Sequence, residues 1–186
     1  MNRFDAFHER RITLKKAVFL DRDGVINEVL TNRVKFVNKP EQMYLLPKVG
    51  EAIKKLNDAG YMVFVVTNQG GVGLGYMKET MLHKVHEKMM RDIAEAGGRV
   101  DDIVYCPHKP HAGCACRKPE PQMLTRLAEK YQIQLAESYM VGDRDVDIQA
   151  GKLAGTKTIL VGKEELGDFQ FPSLYEAAVW FTKNAY

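Results

Sequence analysis

One short segment organises this chain: residues 17–24 read AVFLDRDG. The apolar run from Ala17 to Leu20 predicts a strand that is buried on both faces, as strands of a parallel sheet are. Two carboxylates, Asp21 and Asp23, follow that strand directly. Side chains two residues apart on extended backbone point the same way, so we expect both carboxylates to face one spot. A divalent cation, or a proton on one of them, would relieve their repulsion.

Short apolar runs and longer amphipathic stretches alternate along the rest of the chain, a pattern typical of a parallel sheet flanked by helices. We predict further strands at residues 61–67, 103–105, 139–141 and 158–161. We predict helices at residues 48–59, 78–96, 121–131, 145–153 and 173–181. The predicted fold class is therefore α/β, a single domain with an open, mainly parallel sheet.

Length and composition fit one globular domain and exclude several other classes. The chain has 186 residues, of which 45% are hydrophobic and 27% charged, unlike disordered, collagen-like or coiled-coil chains. The net charge of +3 comes from interspersed residues of both signs, so we expect no nucleic-acid partner. We find no membrane-length apolar run and no secretory signal, and we expect a cytoplasmic protein. We expect residues 1–14 to be an N-terminal extension and residues 15–186 to be the domain.

Three polar motifs follow the later strands or the loops attached to them. They are TNQ at residues 67–69, RKP at 117–119 and GDRDVD at 142–147. Open α/β sheets bind their ligands beyond the carboxyl ends of the strands. We therefore expect a hydroxyl, a lysine ammonium and an acidic cluster to surround the carboxylates that follow the first strand.

The four motifs, in this order over residues 17–161, resemble the haloacid dehalogenase (HAD) superfamily of phosphatases. The resemblance implies a Rossmann-like, HAD-type domain. It also implies that Asp21 is a nucleophile that forms an aspartyl-phosphate and that Asp23 is the general acid and base. Thr67 and Lys118 would then hold the transferring phosphoryl group.

The same resemblance implies a catalytic Mg²⁺ site. Its ligands would be the carboxylates of Asp21 and Asp143 and the backbone carbonyl of Asp23. Such an ion suits the chemistry, because a carboxylate attacks an anionic phosphate ester poorly unless charge is neutralised. Two roles stay open for Asp147, which could lie behind the metal ligands or cap the helix that follows.

The expected substrate is a small phosphorylated sugar. Residues 22–66 must supply a helix and the second strand, which leaves no room for a large cap domain, although residues 28–46 can form a flap. The site should then favour a small polar ligand held by the flanking loops. The expected substrate-binding residues are Asn68, Gln69, Arg117 and Arg144.

A second metal site is predicted in residues 106–116, where three thiols and an imidazole lie close together. The set Cys106, His108, Cys114 and Cys116 suits a closed, structural Zn²⁺ site. A competing ligand is His111, which lies in the same loop. Two other histidines, His83 and His86, lie on the predicted helix at 78–96, and we expect them to face solvent.

The sequence CPH followed by CACRKP is similar to the zinc-containing branch of the superfamily, which includes heptose-bisphosphate and histidinol-phosphate phosphatases. This resemblance favours removal of the 7-phosphate of D-glycero-D-manno-heptose 1,7-bisphosphate by a monomer. Histidinol phosphate and polynucleotide ends are alternative substrates, and a zinc-ordered binding module is the alternative that is not an enzyme. One departure is Leu74, which stands where the heptose enzymes usually have arginine.

Overall fold

The computed structural model describes residues 14–162 and 166–184. Within them, six strands form one sheet in the order β3-β2-β1-β4-β5-β6, and neighbouring strands are parallel. The strands are β1 (Ala17–Leu20), β2 (Met62–Asn68), β3 (Asp102–Cys106), β4 (Tyr139–Gly142), β5 (Lys157–Val161) and β6 (Phe169–Phe171). The helices are α1 (Val49–Asp58), α2 (Gly70–Gly73), α3 (Glu79–Glu95), α4 (Gln122–Tyr131), α5 (Asp145–Ala154) and α6 (Leu174–Asn184).

The α/β class with an open parallel sheet is confirmed, and each predicted strand and helix has a counterpart within a few residues. Four elements were not predicted, of which two are the short 3-10 helices Pro40–Gln42 and Leu135–Glu137. The edge strand β6 has only three residues, and α2 is a single glycine-rich turn. The expected extension at residues 1–14 lies almost wholly outside the described residues. No helix in the described part of the chain has the length and apolar character needed to cross a membrane.

The sheet is covered on both faces because successive side chains of each strand point in opposite directions. On β1, Val18 and Leu20 pack into the cluster formed with α1, α3 and α6. On the same strand, Ala17 and Phe19 pack into a second cluster with α4 and α5. The apolar run of the first strand therefore fills two cores, which fixes β1 at the centre of the sheet.

Parallel register brings the carboxyl ends of β1, β2 and β4 to one edge. Leu20 pairs with Val65 on one side and with Val141 on the other. The backbone N–H of Asp21 donates to the Val141 carbonyl over 2.9 Å. Residues 28–46, the expected flap, return to the loop that follows β1, where an antiparallel bridge pairs Leu45 with Asn27. The described residues of this segment form no separate domain.

The expectation for the two histidines of α3 is confirmed for His83, which is exposed, and is wrong for His86, which is 6% exposed. The inner face of α3 carries Leu82, Val85, His86, Met89 and Ile93. A histidine on this face cannot reach water, and its Nε2 lies 3.4 Å from Nη1 of Arg22. The helical period of the sequence could not show that a polar partner, Arg22, lies beneath this helix.

The buried position of His86 predicts a pH dependence of stability. Burial, reinforced by the charge of Arg22, lowers the pKa of His86 from 6.5 to about 3. The unfolded chain therefore binds a proton at His86 below about pH 6.5, whereas the folded protein resists it until about pH 3, so stability falls across that window. Between about pH 7 and about pH 5 we expect wild type to lose on the order of 2 kcal/mol of unfolding free energy relative to His86→Gln.

Urea unfolding at the two pH values measures this difference. The matched control is His83→Gln, an exposed position on the same helix, which keeps His86 and should therefore still lose stability toward low pH. If the unfolding free energy of His86→Gln fell with pH in parallel with that of wild type, the lowered pKa of His86 would be contradicted.

Candidate active site

The ammonium group of Lys118 lies at the centre of the site. Its Nζ is 2.8 Å from Oδ1 of Asp21 and 2.6 Å from Oδ1 of Asp147, and it donates to the Val66 carbonyl over 2.7 Å. The lysine is 3% exposed. Burial alone would lower the pKa of Lys118, but the two carboxylates raise it above its ordinary value. Lys118 is therefore a fixed positive charge beside Asp21.

Three carboxylates converge around this lysine: oxygens of Asp21, Asp143 and Asp147 lie within 4.8 Å of one another. Oδ1 of Asp143 is buried and has no hydrogen-bond partner. Burial raises the pKa of Asp21 to about 6, and burial together with the charge of Asp147 raises that of Asp143. An unpartnered oxygen among crowded carboxylates is a donor set that fits Mg²⁺.

Two glycines permit this crowding. A Cβ added at Gly24 would overlap the carboxylate of Asp143, and one added at Gly142 would overlap the side chain of Asp147. Gly24 also has a φ of +90°, which disfavours other residues. The acidic groups can therefore approach the end of β1 only because side chains are missing at these two positions.

Asp147 caps the helix that follows, one of the two roles that the sequence left open, and it also contacts Lys118. It is 1% exposed, and its Oδ2 accepts a hydrogen bond from the backbone N–H of Arg144 over 3.2 Å, which caps α5. Its other oxygen faces Lys118 at 2.6 Å. The residue therefore anchors the start of α5 while it holds the lysine, and sequence reasoning did not foresee the second contact.

The carboxylate of Asp23 lies apart from that cluster and is surrounded by donors. Arg22 contacts it through Nε (3.1 Å to Oδ1) and through Nη2 (2.9 Å to each oxygen). Asn27 donates to Oδ1 over 2.9 Å and Gln69 to Oδ2 over 3.1 Å. Burial would raise the pKa of Asp23, but the Arg22 charge and these hydrogen bonds hold it below the ordinary value. These contacts favour the ionised, proton-accepting form of Asp23.

Arg22 and Asn27 were not predicted as site residues. The alternation of side chains could have indicated the buried position of Arg22. At a strand end, the residue between two carboxylates that point outward must itself point the other way, into the protein. A charged group there needs a partner, and the partner is Asp23. The contact to His86 could not be predicted, since it depends on how α3 lies across the sheet.

The residues that follow β2 are bound mainly to other protein groups. Oγ1 of Thr67 accepts a hydrogen bond from Nε2 of Gln69 over 2.9 Å. The side-chain amide of Asn68 makes two hydrogen bonds to the backbone of Lys118. Its Nδ2 donates to the Lys118 carbonyl, and its Oδ1 accepts from the Lys118 N–H, each over 3.0 Å. The side chains of Asn68 and Gln69, expected to bind substrate, therefore position Lys118 and Asp23 in this structure. Thr67 is buried beside them, and its role in phosphoryl binding stays a prediction.

A cavity of about 800 Å³ opens onto Asp21 and Asp23. Two arginines border it: Nη1 of Arg117 donates to the His108 carbonyl over 3.2 Å, and Nε of Arg144 lies 3.7 Å from Oδ1 of Asp143. Planar guanidinium groups suit a second anionic group on a ligand. Their expected substrate-binding roles stay predictions, but both line the cavity that contains the carboxylates.

The four predicted zinc ligands are brought together at the end of β3. Their ligand atoms all lie within 4.8 Å of one another, and the set consists of Cys106, His108, Cys114 and Cys116. Nδ1 of His108 is 3.3 Å from Sγ of Cys116, whereas His111 lines the cavity instead. Burial raises the pKa of the Cys106 thiol to about 12, so a bound cation is what would keep it a thiolate. Three thiols and an imidazole could together hold a structural zinc ion.

The cysteine and histidine loop is connected to Lys118. The loop contacts α2 through a hydrogen bond from the Gly73 N–H to the Pro107 carbonyl over 2.8 Å. It leads directly into Arg117 and Lys118. A metal bound by these four side chains would order a loop with few buried apolar groups, and it would thereby help to position Lys118.

We expect protein purified without chelator to contain about one zinc per chain. His108→Ala should lower that content well below half and reduce activity, because the loop that leads to Lys118 would lose its order. Elemental analysis gives the metal content. The matched control is His111→Ala, which should keep its zinc. The ligand assignment is overturned if His111→Ala loses the metal and His108→Ala retains it.

The chain is similar to known proteins in sequence and in structure. A family model described as HAD-hydrolase-like matches residues 115–175. A D-glycero-beta-D-manno-heptose-1,7-bisphosphate 7-phosphatase of Pseudomonas putida is 42% identical over 152 residues, which cover 81% of this chain and 85% of the relative. A D-glycero-alpha-D-manno-heptose-1,7-bisphosphate 7-phosphatase of Campylobacter jejuni is 36% identical over 173 residues, 91% of this chain and 97% of the relative.

Solved structures agree with these sequence matches. The D,D-heptose 1,7-bisphosphate phosphatase of Bordetella bronchiseptica, crystallised with magnesium and phosphate, superposes with a TM-score of 0.83 at 36% identity. That match covers 91% of this chain and 99% of the other. The corresponding enzyme of Burkholderia thailandensis gives a TM-score of 0.66 at 35% identity, covering 90% and 99%.

Proposed function

The chain belongs to the HAD superfamily of phosphatases, and we propose that it removes the 7-phosphate of D-glycero-D-manno-heptose 1,7-bisphosphate through an aspartyl-phosphate on Asp21. The observation that carries this proposal is the convergence of Asp21, Lys118 and Asp143 beneath one polar cavity. Relatives at 36% and 42% identity that carry this activity in their names support the choice of substrate.

In the first step, a carboxylate oxygen of Asp21 attacks phosphorus and the bond from phosphorus to the sugar oxygen breaks. The Asp23 carboxyl group gives its proton to the departing oxygen, so the sugar leaves as a neutral alcohol. The ammonium of Lys118, 2.8 Å from Asp21, stabilises charge on the phosphoryl oxygens in the transition state. The Thr67 hydroxyl would donate to the same oxygens.

In the second step, water attacks the aspartyl-phosphate. Asp23, now ionised, takes one proton from the water as its oxygen bonds to phosphorus, and the Asp21 carboxylate leaves. Phosphate is released, and Asp23 is protonated again for the next cycle. The donors around Asp23 favour the ionised form that this second step needs.

The carboxylates of Asp21 and Asp143, with the backbone carbonyl of Asp23, would hold the Mg²⁺ ion. When bound, it supplies positive charge that lets an anionic nucleophile approach an anionic ester. The unpartnered oxygen of Asp143 supports this assignment. Lys118 cannot replace the ion, because its one positive charge already lies between two carboxylates.

A bisphosphate fits the cationic side of the cavity. Arg117 and Arg144 border the same space as Asp21, and their planar donors could bind the phosphate that is not removed. Histidinol phosphate, the alternative within the same branch, has no second phosphate to place there. A monomeric state, a cytoplasmic location and the lack of nucleic-acid binding stay predictions from the sequence.

Replacing Asp21 with asparagine removes the nucleophile while preserving its shape. We expect Asp21→Asn to release phosphate at least about a hundredfold more slowly, because the covalent step is lost. Phosphate release under Mg²⁺ saturation is the measurement, with circular dichroism to verify folding. Asp58→Asn, an exposed position on α1, should match wild type. Retention of more than about a hundredth of the wild-type rate by Asp21→Asn would refute the nucleophile assignment.

Substrate choice is tested by comparing kcat/KM across a panel. The panel contains both anomers of heptose 1,7-bisphosphate, histidinol phosphate and a 3′-phosphorylated oligonucleotide. We expect one of the heptose anomers to lead, because only the bisphosphates engage both the carboxylate cluster and the arginines of the cavity. If histidinol phosphate leads by more than about tenfold, about 1.4 kcal/mol of transition-state preference, the proposed substrate is wrong.

A further inference from the structure

Arg22 is a buried charge that the proposed chemistry has not used. Its side chain is 1% exposed, although it lies between the two catalytic carboxylates in sequence. A buried guanidinium is costly unless its donors are paired. Nε and Nη2 are paired with Asp23, and Nη1 lies 3.4 Å from Nε2 of His86.

The chemistry of arginine and histidine determines which of the two side chains accepts the hydrogen bond. Arginine has only donors, so Nε2 of His86 must carry a lone pair and the ring must be neutral. The imidazole is held in place from two sides. α3 buries it against the sheet, and its ring lies 5.6 Å from that of Tyr105 at an angle of 61°. Arg22 therefore meets a rigid acceptor on the side opposite Asp23.

Packing alone does not call for a histidine at this position. The neighbours of His86 on the same face of α3 are apolar, and an apolar side chain would fill the space equally well. In the described part of the chain, the hydrogen-bond partner of the His86 Nε2 nitrogen is Arg22. Without an acceptor, the buried Nη1 would be unpaired, a loss that commonly costs about 1–3 kcal/mol, and the guanidinium would rotate toward another acceptor.

From this geometry we propose that His86 is a positioning residue for the acid and base Asp23. By accepting from Nη1, His86 holds the guanidinium of Arg22 so that Nε and Nη2 face the Asp23 carboxylate and fix its orientation. This inference rests on the proposed function, because it assumes that Asp23 gives a proton to the departing sugar oxygen. His86 touches neither substrate nor Asp23 and acts only through Arg22.

The role predicts a loss that depends on the leaving group. An alkyl oxygen leaves poorly without a proton, so cleavage of a sugar phosphate needs a correctly placed acid. A nitrophenyl oxygen leaves readily as an anion and needs that acid little. A variant that misplaces Asp23 should therefore slow the first step for an alkyl ester far more than for an aryl ester.

The test uses His86→Phe, which keeps a flat ring and removes the acceptor, and His86→Gln, whose amide oxygen can accept in its place. Single-turnover cleavage, with holoenzyme in excess, is followed for heptose 1,7-bisphosphate and for p-nitrophenyl phosphate. If another alkyl phosphate proves to be the better substrate, it serves in the alkyl arm. We expect His86→Phe to slow the alkyl ester about tenfold or more and the aryl ester less than about threefold. His86→Gln should lie within about threefold of wild type on both.

The quantity compared is the ratio of alkyl to aryl rates, which does not depend on how much of a variant folds. His83→Phe, on the exposed side of α3, is the matched control and should leave the ratio unchanged. An unchanged ratio in His86→Phe, whether both rates fall equally or neither falls, overturns the positioning role. So does a His86→Gln ratio as low as that of His86→Phe. Failure of the proposed function appears separately, as phosphate release by Asp21→Asn at more than about a hundredth of the wild-type rate.

Discussion

The carboxyl edge of the sheet is arranged around one buried ion pair network, in which the ammonium of Lys118 lies between Asp21 and Asp147. Neither the lysine nor these aspartates could be buried alone, because an unpaired charge in the interior is strongly unfavourable. Asp143 joins the same cluster, and its buried Oδ1 has no hydrogen-bond partner, although Nε of Arg144 lies 3.7 Å away. The three carboxylates carry more negative charge than Lys118 neutralises, an excess that suits a divalent cation.

The fold makes that cluster possible through the simple rules of a parallel sheet. β1 ends level with β2 and β4, so the residues that follow each strand must share one edge. Side-chain alternation then separates the two acids from the residue between them. Asp21 faces the lysine, while Arg22 points into the protein and returns to hold Asp23. A motif of three residues thus creates two different environments at one strand end.

Much of this arrangement could be predicted from the sequence, because the predictions depended on local periodicity. The strand at 17–20, the placement of polar motifs at strand ends and the grouping of His108 with three cysteines all follow from short-range patterns. The failures involve contacts between distant segments. His86 was wrongly expected to face solvent, since a helical pattern does not show what lies beneath the helix. The contact of Asn68 with the Lys118 backbone, fifty residues away, was not predicted, while the substrate-binding role of Asn68 stays a prediction. The edge strand at 169–171 was not predicted because three residues are too few to show the alternation of apolar and polar side chains.

The two acids of the first motif have opposite electrostatic environments. Burial raises the pKa of Asp21 to about 6, and Arg22 with its neighbours lowers that of Asp23. Attack on a phosphate ester needs the reverse order, with Asp21 ionised and Asp23 protonated. A cation beside Asp21 would lower the pKa of Asp21, and a phosphoryl dianion near Asp23 would raise that of Asp23. Ligand binding therefore supplies the protonation states for the first step, whereas the protein alone favours the ionised Asp23 that the second step requires.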